Sequence, residues 1–183
     1  MTFTRTQPEG CFIIEPNVIN DGRGYFMESF NEAKFEAGTG HKVHFVQDNQ
    51  SYSTKGVLRG LHYQTGGHAQ AKLVRVLQGE VLDVAVDIRP ESSTYGEHVA
   101  VVLSAENNKQ LFIPRGFAHG FLVLSDTATF FYKCDNLYNK ESEGGILYND
   151  PAIGINWGMA TQDLIISDKD IVLPGLHSSK KIW

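Results

Sequence analysis

Arg59 and His62 stand three residues apart in the run GVLRGLHYQ, Gly56 to Gln64, a short strand-like stretch bounded by Gly56 and by Gly66-Gly67. A permanently charged guanidinium beside a titratable imidazole could hold an anionic substrate and move a proton from it. Taken by itself the pair also reads as a strand-edge arginine next to a half-buried, hydrogen-bonded histidine. Other groups with the same chemical character recur along the chain. Arg23 sits between Gly22 and Gly24, which places its guanidinium on a tight loop. Gln47 and Asn49 share one face of a strand by the two-residue period and could donate to a ligand or close a local turn. His119 opens an apolar strand, and Asp83 lies between Val81 and Ala85 on a face that resembles a cavity lining more than a solvent face.

The elements that must position these groups are short strands. Residues 11 to 19 read as a first strand interrupted at Pro16, and a turn at Asp21-Gly22 leads to a second carrying Tyr25, Phe26 and Glu28. Residues 31 to 38 are the one helix candidate, with Asn31 as cap and Gly38 as stop. Strand character returns over 43 to 52. It continues through KLVRVLQGEVLDVAVDIR, where Gly79 divides two strands joined by a tight turn. Strands VAVVLSAENN, Leu111 to Ile113, Phe117 to Leu124 and 127 to 134 follow. About ten short strands with frequent turn signals predict an all-β fold, an antiparallel sandwich or jelly roll. Its core is expected over residues 43 to 135, with a short N-terminal helix and an irregular C-terminal region ending in a frayed polar tail, HSSKKIW.

The 183 residues and 20.4 kDa fit one domain, large enough to bury roughly two thirds of its extended-chain surface without a metal or disulfide staple. A net charge of -5, with 16 lysines and arginines scattered through the chain, argues against a nucleic-acid or membrane surface. Local cations are then better assigned to a small anionic ligand. Cys11 and Cys134 could pair, but two free thiols in a reducing compartment is the simpler reading. MTFTRTQPEG has no basic start followed by an apolar run, and no apolar stretch reaches the roughly 20 residues of a bilayer span. A cytoplasmic protein is expected.

Pro114-x-Gly116-x-x-His119, with His62 roughly fifty residues before it, resembles the paired motifs of the cupin superfamily. The first motif reads His62-Tyr63-Gln64 and lacks the second histidine of the metal-binding members, with only His68 or Glu80 as substitutes, so no metal is expected. The runs FVQDNQSYS, GVLRGLH, LSAENNKQLFIPRGFAHGF, GRGYFMESF, SEGGILYNDPAIGINW and the late SDKD resemble the dTDP-4-dehydrorhamnose 3,5-epimerase family over roughly residues 10 to 176.

This resemblance implies a cupin-type jelly roll with no cofactor. The implied molecule is a homodimer that exchanges N-terminal strands and acts on a nucleotide-linked 4-keto-6-deoxyhexose, inverting C3 and C5. It matches His62 to the general base, Asp170 to its carboxylate partner and Tyr132 to the proton donor. Arg23, Phe26, Glu28, Gln47, Asn49, Arg59, Lys72, His119, Tyr138, Glu143 and Lys169 match positions lining the substrate site. The chemistry is self-consistent. The C4 ketone acidifies both neighbouring carbons, an imidazole with an ordinary pKa of about 6.5 is a suitable base, and Lys72 is placed to stabilise the enolate oxygen. Whether Asp83 orients His119 or His62 stays open. So do a single-carbon epimerase or ketoisomerase and a non-catalytic nucleotide-sugar-binding jelly roll.

Overall fold

The computed structural model describes all 183 residues. In chain order the strands are β1 (Thr2–Arg5), β2 (Phe12–Glu15), β3 (Val18–Asp21), β4 (Gly24–Met27), β5 (Gln47–Thr54), β6 (Val57–Gln64) and β7 (Lys72–Gln78). They continue with β8 (Glu80–Asp87), β9 (His98–Ser104), β10 (Gln110–Ile113), β11 (Phe117–Val123), β12 (Thr127–Cys134), β13 (Glu143–Gly145) and β14 (Ile165–Ile166). One helix, α1 (Glu32–Thr39), lies between β4 and β5. Asn31 caps it by accepting the Lys34 N–H, and Gly40, in the left-handed region, closes it. Gly38 therefore lies inside the helix, where Phe3 packs against it, and the stop falls two residues later than expected.

Two sheets face each other, as the alternating pattern predicts. The first runs β1-β2-β10-β7-β12-β5 and the second β13-β6-β11-β8-β9, with β14 added in parallel to β6. The sheets thus take in residues well outside 43 to 135. Fourteen strands form rather than about ten, because β1, β13 and β14 are too short to show a period. Gly79 does not turn a hairpin. β7 belongs to the first sheet and β8 to the second, so the chain crosses between layers there. Gly79 takes φ +78° and has no room for a Cβ beside the Thr127 carbonyl.

This crossing explains why every residue of β8 from Val81 to Asp87 except Leu82 is buried. Val81 and Ala85 face the core between the sheets, with Val74, Val76, Leu111, Phe121 and Phe130. Val84, Val86 and Ile88 face outward and are covered by Ile146, Tyr148, Trp157, Leu176 and Ile182 of the C-terminal region. A third cluster packs Phe35 of α1 and Val43 onto Phe12, Leu73 and Phe112 of the first sheet. Val43 and Phe45 serve that cluster from a connecting segment, and strand pairing begins only at Gln47. Both cysteines are free and buried.

At the end of β8 the fully buried Asp87 carboxylate accepts from Arg89, Ser92 and Thr94, which pins the following loop. Burial alone would raise this carboxyl, but those donors hold it below its ordinary value. The C-terminal tail is docked rather than frayed. Gly66 N–H donates to the Ile182 carbonyl at 2.7 Å, and the Tyr63 hydroxyl donates to the Lys180 carbonyl at 2.5 Å. Polar composition hid the one apolar side chain, Ile182, that anchors it at 2% exposure.

Ile182→Ala should therefore cost about 2–5 kcal/mol, in the range of buried large-to-small changes. Urea unfolding would check this; an unchanged midpoint would mean that the tail is not docked in solution.

Candidate active site

A cavity of about 600 Å³ opens between the two sheets. His62, Arg59 and His119 come from the second sheet, Lys72 and Tyr132 from the first, and Lys169 and Asp170 from the turn after β14. Arg59 and His62 are an odd number of residues apart, so a regular strand would point them to opposite faces. The ladder between β6 and β11 breaks this rule: His119 pairs with His62 but Phe121 pairs with Arg59, so β6 carries one extra residue. Gly60 makes the bulge feasible. Its φ is +126°, and a Cβ there would lie 2.6 Å from the Gly120 Cα and 2.8 Å from the His119 carbonyl oxygen. Both side chains consequently reach the same cavity. An isolated glycine inside a strand pattern was the available signal for this, and the sequence reading did not use it.

His62 Nε2 lies 2.7 Å from Asp170 Oδ1, a contact between groups 108 residues apart. The other oxygen, Asp170 Oδ2, accepts the Gly60 N–H at 3.3 Å. Ser167 Oγ and the Ser167 carbonyl both accept the Asp170 N–H, which fixes the turn. Burial alone would raise the Asp170 carboxyl, but the hydrogen bond and charge of His62, the Gly60 N–H and Lys169 outweigh it and hold the pKa below the usual value. The carboxylate stays ionised at neutral pH and can stabilise an imidazolium on His62.

Asp83 pairs with His119, not His62: its Oδ2 lies 2.9 Å from His119 Nε2. Burial pushes His119 down in pKa, and with the nearby Lys72 charge it outweighs the upward pull of Asp83. His119 is therefore a neutral imidazole at neutral pH. Burial also pushes the Lys72 ammonium down and the Tyr132 phenol up. The Lys72 Nζ lies 5.8 Å from the centre of the Tyr132 ring. Neither Lys72 nor the Tyr132 hydroxyl has a hydrogen-bond partner within the protein, so both remain available to a ligand.

Lys169 lines the cavity, and Glu143, Tyr138, Gln47 and Asn49 lie outside its lining but are linked to Lys169 or to one another. Lys169 Nζ meets Glu143 Oε1 at 2.5 Å, and the Tyr138 hydroxyl donates to Glu143 Oε2 at 3.3 Å. That bond raises Lys169 and, against the opposing effect of burial, lowers Glu143. Gln47 and Asn49 are bonded to each other at 3.1 Å, and Gln47 Oε1 accepts the Tyr138 N–H. Arg23, Phe26 and Glu28 are not brought to the cavity. They lie on or just beyond the β3–β4 hairpin, where Arg23 pairs with Asp21, Glu28 pairs with Lys34, and Phe26 is 70% exposed. The lining also includes Ser51, Phe121, Phe130, Ile166 and Ser167, which carry no motif of their own. No cluster of three or more His, Cys, Asp or Glu side chains is placed to hold a metal ion, and no helix is long and apolar enough to cross a membrane.

A family model for dTDP-4-dehydrorhamnose 3,5-epimerase matches residues 5–178. The chain belongs to this family. It is 58% identical over 171 residues to the dTDP-4-dehydrorhamnose 3,5-epimerase of Shigella flexneri, covering 93% of each chain. Among solved structures, the family enzyme from Elizabethkingia anophelis NUHP1 superimposes with a TM-score of 0.95 at 55% identity, covering 100% of this chain and 99% of that one. The dTDP-6-deoxy-D-glucose-3,5-epimerase of Legionella pneumophila Philadelphia 1, solved in complex with dTDP-4-keto-L-rhamnose, gives 0.93 at 50% identity over 97% and 93% of the two chains. The jelly-roll fold expected from the strand pattern is the fold of the family.

The lowered pKa of Asp170 makes a signed prediction. Its contribution to stability is present above the unfolded value of about 3.9 and is lost as pH falls through the lower folded value. The stability difference between the wild type and Asp170→Asn should be largest above about pH 5 and shrink towards pH 3 in chemical denaturation. A difference independent of pH would contradict the assigned ionisation.

Proposed function

We infer that this protein is a dTDP-4-dehydrorhamnose 3,5-epimerase, converting dTDP-4-dehydro-6-deoxy-D-glucose to dTDP-4-dehydro-L-rhamnose. The observation that carries the mechanistic reading is the opposition of two kinds of group across one cavity. The His62–Asp170 pair and Tyr132 line the same cavity, His62 from the second sheet and Tyr132 from the first. A sugar ring lying between the sheets would meet a base on one face and an acid on the other. For a ring held in one orientation, inversion at carbon needs that arrangement.

In this reading His62 removes the proton alpha to the C4 ketone, and Asp170 holds the imidazole in place and stabilises the cation that forms. The ketone is the electron sink, so the carbanion is an enolate from the outset. Lys72, without a protein acceptor, donates to the enolate oxygen as charge develops there. Tyr132, kept protonated by burial, returns a proton from the opposite face. Once the His62 imidazolium has released its proton and the Tyr132 phenolate has regained one, both by exchange with solvent, the same sequence at the second flanking carbon completes the double inversion. His119, held neutral beside Asp83, serves as a hydrogen-bonding wall of the site.

The nucleotide end is assigned to the polar groups in and beside the cavity. Arg59 contacts the diphosphate, and Gln47, Asn49, Tyr138, Glu143 and Lys169 surround the remainder of the nucleotide. Arg23, Phe26 and Glu28 do not reach the cavity of their own chain, and their hairpin exposes Ile19, Tyr25 and Phe26. We read them as contacts supplied to the site of a second copy in a homodimer, the whole chain forming one jelly-roll domain.

With the nucleotide-linked 4-keto sugar in deuterated water, proton NMR should show deuterium entering both C3 and C5 with inverted product. Exchange at one carbon alone would make the protein a single-site epimerase. Binding without exchange would overturn the mechanism.

A further inference from the structure

The inward face of β5 is polar throughout: Gln47, Asn49, Ser51 and Ser53 lie opposite Cys134, Tyr132, Phe130 and Ala128 of β12. Such a ladder in the wall of a mostly apolar interior calls for partners. Ser53 is the most deeply buried of the four, at 6% exposure, and its partner is unusual. Both Nε and Nη2 of Arg59 donate to Ser53 Oγ, at 3.2 and 3.1 Å. β5 and β6 belong to different sheets, so these bonds link the two layers at an arginine that lines the cavity.

We propose that Ser53 is the positioning residue for Arg59, fixing its guanidinium towards the substrate anion without neutralising its charge. Arg59 makes no ion pair with any carboxylate, whereas Lys169, which lines the same cavity, is held by Glu143. A hydroxyl is a neutral acceptor. It occupies one edge of the guanidinium and leaves both N–H groups of Nη1 and one of Nη2 for the ligand. A carboxylate at Ser53 would orient the arginine equally well but cancel the field that attracts a phosphate. Without any acceptor there, a long side chain would have to be ordered during binding, which raises KM roughly three- to tenfold.

The inference rests on the reading of Arg59 as a diphosphate contact, and a double-mutant cycle separates the two. Ser53→Ala should raise KM for the nucleotide-linked 4-keto sugar roughly three- to tenfold, with kcat changed less than about threefold. In the Arg59→Ala background the same substitution should have no further effect. Ser53→Thr against Ser53→Val, equal in volume, isolates the hydroxyl should Ser53→Ala alter packing: Thr should keep a KM below that of Val. Thermal melts establish that each variant is folded. Additive effects of Ser53→Ala and Arg59→Ala, or equal KM for Thr and Val, would overturn the positioning role and leave Arg59 in place. An unchanged KM in Arg59→Ala itself would overturn both.

Discussion

Gly60 and Gly120 bring the backbones of β6 and β11 into contact, and neither position can carry a Cβ: one on Gly120 would sit 2.7 Å from the Arg59 carbonyl oxygen. The rest of the site depends on this approach. It accommodates the extra residue of β6, turns Arg59 and His62 to the same side, and leaves the Gly60 N–H pointing at Asp170. A regular strand would have turned His62 or Arg59 to the cavity, but not both. The single bulge therefore does what a second strand would otherwise have to do, a common use of bulges beside active sites.

The second requirement is that the C-terminal chain return to this strand. β13 pairs with one edge of β6, β14 adds in parallel near its start, and the turn that follows delivers Asp170 to His62. Apolar burial drives the return: Ile146, Tyr148, Trp157, Leu176 and Ile182 cover the outer face of the second sheet. The same C-terminal region thus covers that face and supplies the Asp170 carboxylate to His62. Burial also sets the protonation states, keeping His119 neutral, weakening the proton affinity of Lys72 and strengthening that of Tyr132, while local donors keep Asp170 ionised.

Much of this was legible in the residues. Alternation gave β8, β11 and β12 nearly to the residue, and Asn31 marked the start of α1 because its side chain has only one good use there. The inward placement of Asp83 followed from small apolar neighbours that no solvent face would select. What stayed hidden was non-local or non-periodic. Nothing near Asp83 says which histidine it meets, since the choice depends on how β8 and β11 align. Gly79 has the local signature of a hairpin turn, and only the long-range pairing of its flanking strands, β7 with β10 and β12 and β8 with β9 and β11, places them in different sheets. Ile182 and Trp183 are the two apolar residues of a polar tail and only Ile182 is buried, too little signal for a docking site. Asp170 is indicated by family resemblance alone, because one of two acids in SDKD carries no trace of a partner 108 residues away.

The central claim is that base and acid stand on opposite sheets and attack opposite faces of the sugar. Tyr132→Phe tests it most directly, assayed in deuterated water for both isotope content and configuration. With the acid removed, His62 should still abstract protons and return deuterium to the face it came from, giving exchange with retention and little inversion. Inversion by Tyr132→Phe at a near-normal rate would contradict the account.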